Sequence, residues 1–346
     1  MSRLSVTAVN AHAFAELGTV IVVPARNEEE RIGNCLSHLF AQDAPIPAGI
    51  VLCVNNTTDE TAARALAQAR SRRHPLILAE ATFASGGVGR ARRLGHRIAM
   101  RAAPQASVFL STDADCLPAP CWQREMEAVL ARAPAVLGRI DVCGRELASF
   151  PASVLLRQRQ ENAFAALAME FERLMDPAGP DGIGLNTAGG ANLGFCRAAY
   201  RSVGGYRPLE TGEDRDIINR VRAAGFRPLR AENAVVLASM RRDGRAPGGM
   251  ADQIVARFQR GDCSVDSALA PFEVMVARHL GHNAIPPRLT LAGARGDLQA
   301  LQSCVEALRL LACVESRRRY LSGLTAVTPV LGAPLATGSG PCKDNR

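Results

Sequence analysis

The stretch GTVIVVPARNEEERIGNCLSHLFAQ, residues 18 to 42, changes its period in the middle. Its first eight residues are an apolar run of strand length, and from Asn27 onward apolar residues recur at helical spacing between charged ones. The alternation continues down the chain. AGIVLCVNN (48 to 56), HPLILAEA (74 to 81) and ASVFLSTD (106 to 113) read as strands, with DETAARALAQARSRR (59 to 73) and GRARRLGHRIAMRAA (89 to 103) as helices between them. Strand and helix in this order predict an α/β fold with a mostly parallel sheet covered on both faces. Ligands of such sheets bind beyond the carboxyl ends of the strands, where PARNE, NNTTD and TDAD all fall.

The last of these clusters, within FLSTDADC (109 to 116), places Asp113 and Asp115 one residue apart at a strand end. A turn there brings both carboxylates toward one point, as a divalent cation or a ligand's hydroxyls require. An Asp-rich turn that starts the next helix has the same composition, so the pair alone does not decide between them.

Composition narrows the class. The chain has 346 residues, 47% hydrophobic and 21% charged, as expected of a globular enzyme rather than a disordered or fibrous chain. No apolar run reaches the roughly 18 residues of a membrane helix. The start, MSRLSVTAVNAHAFAELGT, is broken by Asn and His where a signal peptide is continuously apolar, so a cytoplasmic protein without an integral membrane segment is expected. The ten cysteines are scattered with no CxxC pair, which suggests neither a zinc site nor a disulfide framework. The 41 Lys and Arg against 33 Asp and Glu suit a small anionic substrate, and 4% aromatics argue against a nucleic-acid stacking surface.

The second half is less regular. PASVLLRQRQENAFAALAMEFERLM (151 to 175) reads as one long amphipathic helix and PAGPDGIGLNTAGGAN (177 to 192) as a Gly-rich connection. TGEDRDIINRVRAAG (211 to 225) opens on an acidic turn and closes on Gly225, the pattern of a capped helix. DLQALQSCVEALRLLACVESRRRYL (297 to 321) reads as further helix, and the Pro- and Gly-rich residues 326–346 as a disordered tail.

Read in order, VIVVPARNEEERI, VLCVNNTTDET, GVGRARRLGHRIA, FLSTDADCLPAPCW, GGANLGFCRAAYRSVGGYRP and GEDRDIINRVRAAGFRP resemble the successive motifs of family two glycosyltransferases. The resemblance covers about residues 18–230 and rests on the order and spacing of all of them. It implies the GT-A fold, a Rossmann-like mostly parallel sheet flanked by helices, in a soluble, non-processive member. It divides the chain into an N-terminal extension (1–17), a GT-A domain (18–250, with a nucleotide-binding half 18–118 and an acceptor half 119–250) and a helical C-terminal region (251–325).

The resemblance also implies roles for particular residues. Asp115 matches the ligand of Mg²⁺ or Mn²⁺, and Asp113 the carboxylate that contacts the ribose or the metal shell. Pro24, Ala25, Asn27 and Glu28 match the loop lining the nucleotide pocket. Asn55 stands where the family more often has an aspartate, and Asp59 matches an acidic residue near base and ribose, a position equally suited to capping the next helix. Arg92 matches an arginine near the diphosphate, although Arg90, Arg92, Arg93 and Arg97 also fit a basic helix face. Gly190, Ala191 and Asn192 match the segment shaping the donor-sugar and acceptor site. Glu213 and Asp214 match the ED pair, whose second member is the general base in inverting enzymes.

Two departures stand out. No His follows the ED pair before His279, where similar enzymes often complete the metal shell; SMRRDGRAPGGM (239 to 250) instead supplies Arg241, Arg242 and Arg245, expected to close over the diphosphate. The QxxRW signature of processive synthases is absent, since FQRGD (258 to 262) does not fit it, which favours transfer of one sugar. The expected partners are a UDP-, GDP- or dTDP-sugar donor and a small-molecule, lipid or glycan acceptor, with no nucleic acid; oligomeric state is not legible. The competing readings are a nucleotidyltransferase acting on sugar phosphates, which lacks its Gly-rich Lys-bearing signature here, and a non-catalytic nucleotide-sugar binder. A dinucleotide oxidoreductase is weaker still, because GGVGRARRLG lacks the GxGxxG spacing.

Overall fold

A computed structural model describes residues 4–142, 144–176, 183–184, 188–241, 250–258, 262–282 and 288–327. The strands are β1 (Leu4–Val9), β2 (Thr19–Ala25), β3 (Gly49–Asn55), β4 (Leu76–Ala81), β5 (Val108–Ser111), β6 (Leu117–Pro118), β7 (Ala135–Val142), β8 (Leu193–Cys196) and β9 (Leu229–Ala238). The helices of the first half are α1 (Ile32–Phe40), α2 (Thr61–Arg72), α3 (Gly87–Ala102), α4 (Trp122–Leu130), α5 (Gly144–Ala148) and α6 (Ala152–Met175). Those of the second half are α7 (Arg197–Ser202), α8 (Glu213–Ala223), α9 (Met250–Phe258), α10 (Phe272–His279), α11 (Leu291–Arg309) and α12 (Val314–Val327).

Among the described residues the strands form one nine-stranded sheet in the order β1-β4-β3-β2-β5-β8-β7-β9-β6. Strands β2, β3, β4, β5, β7 and β9 run one way, and β1, β6 and β8 run against them. The sheet is therefore mostly parallel, as the alternating sequence predicts. Every residue of β2 and β3 is buried, which is why both read as unbroken apolar runs rather than as alternating ones. The pleat sends Ile21, Val23 and Ala25 of β2 into the layer formed by α1 and α2, and Val20 and Val22 into the opposite layer against α3. Close packing of α3 depends on Gly95, where a Cβ would stand 2.5 Å from Val22 Cγ1.

The order of strands creates the place where a ligand can enter. From β2 the chain steps outward through β3 to β4, then returns by α3 to β5 on the other side of β2. The loops that leave β2 and β5 consequently diverge, and the crevice between them is the topological switch point of the sheet.

Two expectations change. Residues 4–9, read as part of an extension, form β1, an antiparallel edge strand on β4, and Phe14 just beyond it is fully buried. The helix expected over 297–321 is two helices. Ser316 Oγ donates to the Cys313 carbonyl and accepts from the Cys313 N–H, local bonds that compete with continuing the ladder and start α12 afresh. Helix α6 keeps its expected span, and its buried face of Phe164, Ala168, Phe171 and Met175 builds a second core with α10, α11 and α12. The expected tail falls, beyond Val327, outside the described residues.

Gly95→Val is expected to lower stability by about 1–3 kcal/mol, because the added methyls must enter the packed α3–β2 contact. Urea unfolding followed by circular dichroism measures the loss.

Candidate active site

The loops at the carboxyl ends of β2, β3 and β4 are stitched together by short polar side chains. Asn27, in the left-handed region at φ 52°, accepts from the Thr58 N–H (2.9 Å), and its own N–H donates to Thr57 Oγ1 (3.2 Å). The Glu28 N–H donates to Thr61 Oγ1 at 2.8 Å. Asp59 accepts from the Thr61 N–H (3.0 Å) and the Glu29 N–H (3.1 Å), so from the position before the N-cap residue Glu60 it holds both the first turn of α2 and the neighbouring loop. Burial works against its ionisation, and the hydrogen bonds from Thr61 and Glu29 outweigh it, holding the carboxyl below the ordinary range. Pro24 and Ala25 are the last residues of β2, paired with Cys53 and Val54, and Asn55 ends β3 nearly buried. Asn56, which the sequence reading passed over, exchanges hydrogen bonds with the Phe83 N–H (3.0 Å) and carbonyl (2.8 Å) and so fixes the next loop.

Arg92 stands at the centre of the site. Its side chain is only 2% exposed, and each guanidinium nitrogen has a partner: Nε donates to Glu213 (3.0 Å), Nη1 to Ser111 Oγ (2.5 Å) and Nη2 to Asp113 Oδ1 (2.5 Å). Burial pulls its pKa down; Asp113, Tyr206, Glu213 and Asp214 outweigh that and hold the guanidinium firmly charged. This sets aside the basic-face reading of Arg92, whose buried guanidinium is the brace that ties the strand-end carboxylate of β5 to the ED pair on α8. Its neighbour Arg93 is likewise spent on the Gly204 (2.8 Å) and Tyr206 (2.6 Å) carbonyls. Gly190 is required beside the brace, because a Cβ there would collide with the guanidinium.

Asp214 accepts from the Gly190 N–H (2.8 Å) and from the Arg215 N–H (2.7 Å). Burial raises it above the ordinary carboxylate range, opposed by those two N–H groups and by Arg92. Glu213, 4% exposed, is also raised by burial, against the pull of Arg92. Asn192 proves to be a structural tie: it is 1% exposed, its Oδ1 accepts from Trp122 Nε1 (2.8 Å), and its amide nitrogen donates to the Arg139 (2.9 Å) and Ala234 (2.8 Å) carbonyls. Ala191 is buried beside it in the main core.

Arg241 is the second cation of the site. It grips Glu28 through both terminal nitrogens (2.7 and 2.5 Å), and Nη2 also lies 3.1 Å from Asp115 Oδ2. Just before it, the Met240 N–H is held by Glu146 at 2.5 Å. The expected Arg242 and Arg245 lie outside the described residues. Beside Arg241 opens a cavity of about 240 Å³, lined among the described residues by Glu146, Ser149, Phe150, Met240 and Phe258.

Asp113, Asp115 and Cys116 bring one ligand atom each to within 4.8 Å of one another. The two carboxylates suit a hard divalent cation, each having an oxygen outside its arginine contact. The Cys116 thiol does not suit one: burial first, then Asp113 and Asp115, push its pKa well up and keep it protonated.

A strand-end carboxylate pair and the ED helix start thus meet at the switch-point crevice of an α/β sheet. The chain belongs to glycosyltransferase family 2: the family model described as "Glycosyltransferase like family 2" matches residues 17–248, more than half of the sequence. The protein is thus a glycosyltransferase with the GT-A fold, which sets aside the nucleotidyltransferase and non-catalytic readings. A search of curated proteins gave no match. Among solved structures, the mannosyltransferase PcManGT from Pyrobaculum calidifontis in complex with GDP-Man and Mn²⁺ is 16% identical, with 92% of this chain and 87% of that one covered and a TM-score of 0.48. S. aureus TarS 1–349 in complex with UDP is 18% identical, with 90% and 87% covered and a TM-score of 0.46. No described helix is long and apolar enough to cross a membrane.

Arg92→Met is expected to destabilise the fold by about 3–5 kcal/mol, since it leaves Asp113 and Glu213 without their shared cation. Chemical denaturation of the purified variant tests this.

Proposed function

We propose that the protein transfers a single sugar from a nucleotide-sugar donor to an acceptor hydroxyl with inversion, Asp214 acting as general base. The observation that carries this reading is the Arg92 brace, which joins Asp113 on the donor side to the ED pair that includes Asp214. The Asn27, Asn55 and Asp59 loops line the nucleotide end, and Asp113 faces the ribose. Asp113 and Asp115 would hold Mg²⁺ or Mn²⁺, which when bound neutralises charge on the departing diphosphate.

Asp214 takes the proton of the acceptor hydroxyl as its oxygen forms a bond to the anomeric carbon. The bond from that carbon to the phosphate oxygen breaks on the opposite face, and its electron pair leaves with the nucleoside diphosphate. A carboxylate with raised proton affinity is better suited to this task than an ordinary aspartate. The Gly190 N–H orients it. The cavity beside Arg241, walled by Phe150, Phe258 and Met240 and carrying Glu146 and Ser149, receives the acceptor.

The direct test measures nucleotide release from UDP-, GDP- and dTDP-sugars with Mn²⁺ present; no turnover with any donor and no nucleotide binding would sink the reading. Asp214→Asn is expected to lower kcat by about 10²–10⁴-fold while nucleoside diphosphate binding stays as in the wild type. The acid limb of kcat/KM has a defined sign as well. As pH falls, Asp214 gains its proton earlier than a solvated aspartate does, so activity is lost at a pH above the ordinary value of about 3.9. A pH–rate profile checks it, and the limb should be missing from the residual activity of Asp214→Asn.

A further inference from the structure

Arg241 is placed where a cation at Asp115 would be felt most strongly. Its guanidinium spans the switch-point crevice, with Glu28 from the loop after β2 on one side and Asp115 from the turn after β5 on the other. It is no loose surface arginine. The side chain is 11% exposed, its main partner Glu28 is 5% exposed, and the Glu146 contact to the Met240 N–H fixes the backbone that carries it. A fork held on both prongs by one buried carboxylate does not swing away freely. Any divalent cation liganded by Asp115 in the free protein must then lie beside a fixed positive charge.

We propose that Arg241 is the resident cation of the diphosphate site: the protein holds a nucleoside diphosphate without a divalent cation, and takes the cation only together with the nucleotide. This rests on the donor reading above and assigns two positive charges to two stages. Arg241 neutralises the diphosphate on binding, and the metal acts on its departure. Glu28 is the positioning residue, since it fixes the direction of the guanidinium, and Asp115 faces both cations.

The test uses the full-length protein with UDP, GDP and dTDP as probes. Calorimetry in EDTA and in Mn²⁺ gives nucleotide affinities, and electron paramagnetic resonance of Mn²⁺ gives metal affinity without nucleotide. Wild type is expected to bind one of the three in EDTA within about threefold of its affinity in Mn²⁺. Arg241→Met should lose about tenfold or more in EDTA, recover with Mn²⁺, and bind Mn²⁺ alone about tenfold more tightly than wild type. Arg241→Lys, which keeps the charge, should remain near wild type in EDTA, and it carries the test if the Met variant does not fold. Wild-type binding that collapses in EDTA overturns the proposal and leaves the donor reading standing. Unchanged Mn²⁺ affinity in Arg241→Met also overturns it. Absence of nucleotide binding in either buffer overturns both.

Discussion

The buried guanidinium of Arg92 is the constraint on which the rest of the site depends. Removing an ion from water costs several kcal/mol even after relaxation, so such a charge persists only where partners surround it. Here they come from two directions: Ser111 and Asp113 at the end of β5, and Glu213 at the start of α8. Meeting that demand fixes the distance between a strand end and a helix start more than a hundred residues away in sequence. The glycine at 190 follows from it, since that backbone passes against the same guanidinium and then offers its N–H to Asp214. Asp214 is oriented because the brace is filled.

The sheet supplies the second constraint, and it was largely legible beforehand. Strands buried on both faces must be apolar throughout, and β2, β3 and β4 declare themselves for that reason. The positions of Asp113 and Asp115 followed from the end of one such run. What was not legible were roles set by partners far away in sequence. Arg92 sits on a helix with other arginines, and nothing local distinguishes it from a solvated face; its burial is decided by Asp113 and Glu213. Asn192 lies in a Gly-rich segment that looks like a sugar site, yet its amide is claimed by Trp122 on α4 and by carbonyls of β7 and β9. The LSVTAV strand at the amino end alternates apolar and polar residues, but it lies in what reads as an N-terminal extension before the first buried run. The break between α11 and α12 was hidden because no Gly or Pro marks it, only a serine that bonds back to Cys313.

The two arginines divide the acidic groups of the crevice between them. Arg92 takes Asp113 and Glu213, deep against β5; Arg241 takes Glu28 and Asp115, nearer the mouth. Neither arrangement stabilises the fold by as much as its bare attractions suggest, because Arg92 and Glu213, like Arg241 and Glu28, have left water. Their return lies in specificity: each fork fits a carboxylate in one orientation and so fixes the loops that carry it.

This division answers the question raised by the missing histidine. A neutral imidazole would complete a metal shell, whereas an arginine in the same stretch of chain brings a charge of its own and repels the metal it might have held. The carboxylate pair at the end of β5 is therefore not a simple chelate in this chain. On the reading proposed above, Asp113 is committed to the brace that orients Asp214, and Asp115 is shared between a fixed guanidinium and a cation that would arrive with the phosphates, so that the metal's affinity would be a property of the nucleotide complex rather than of the protein alone.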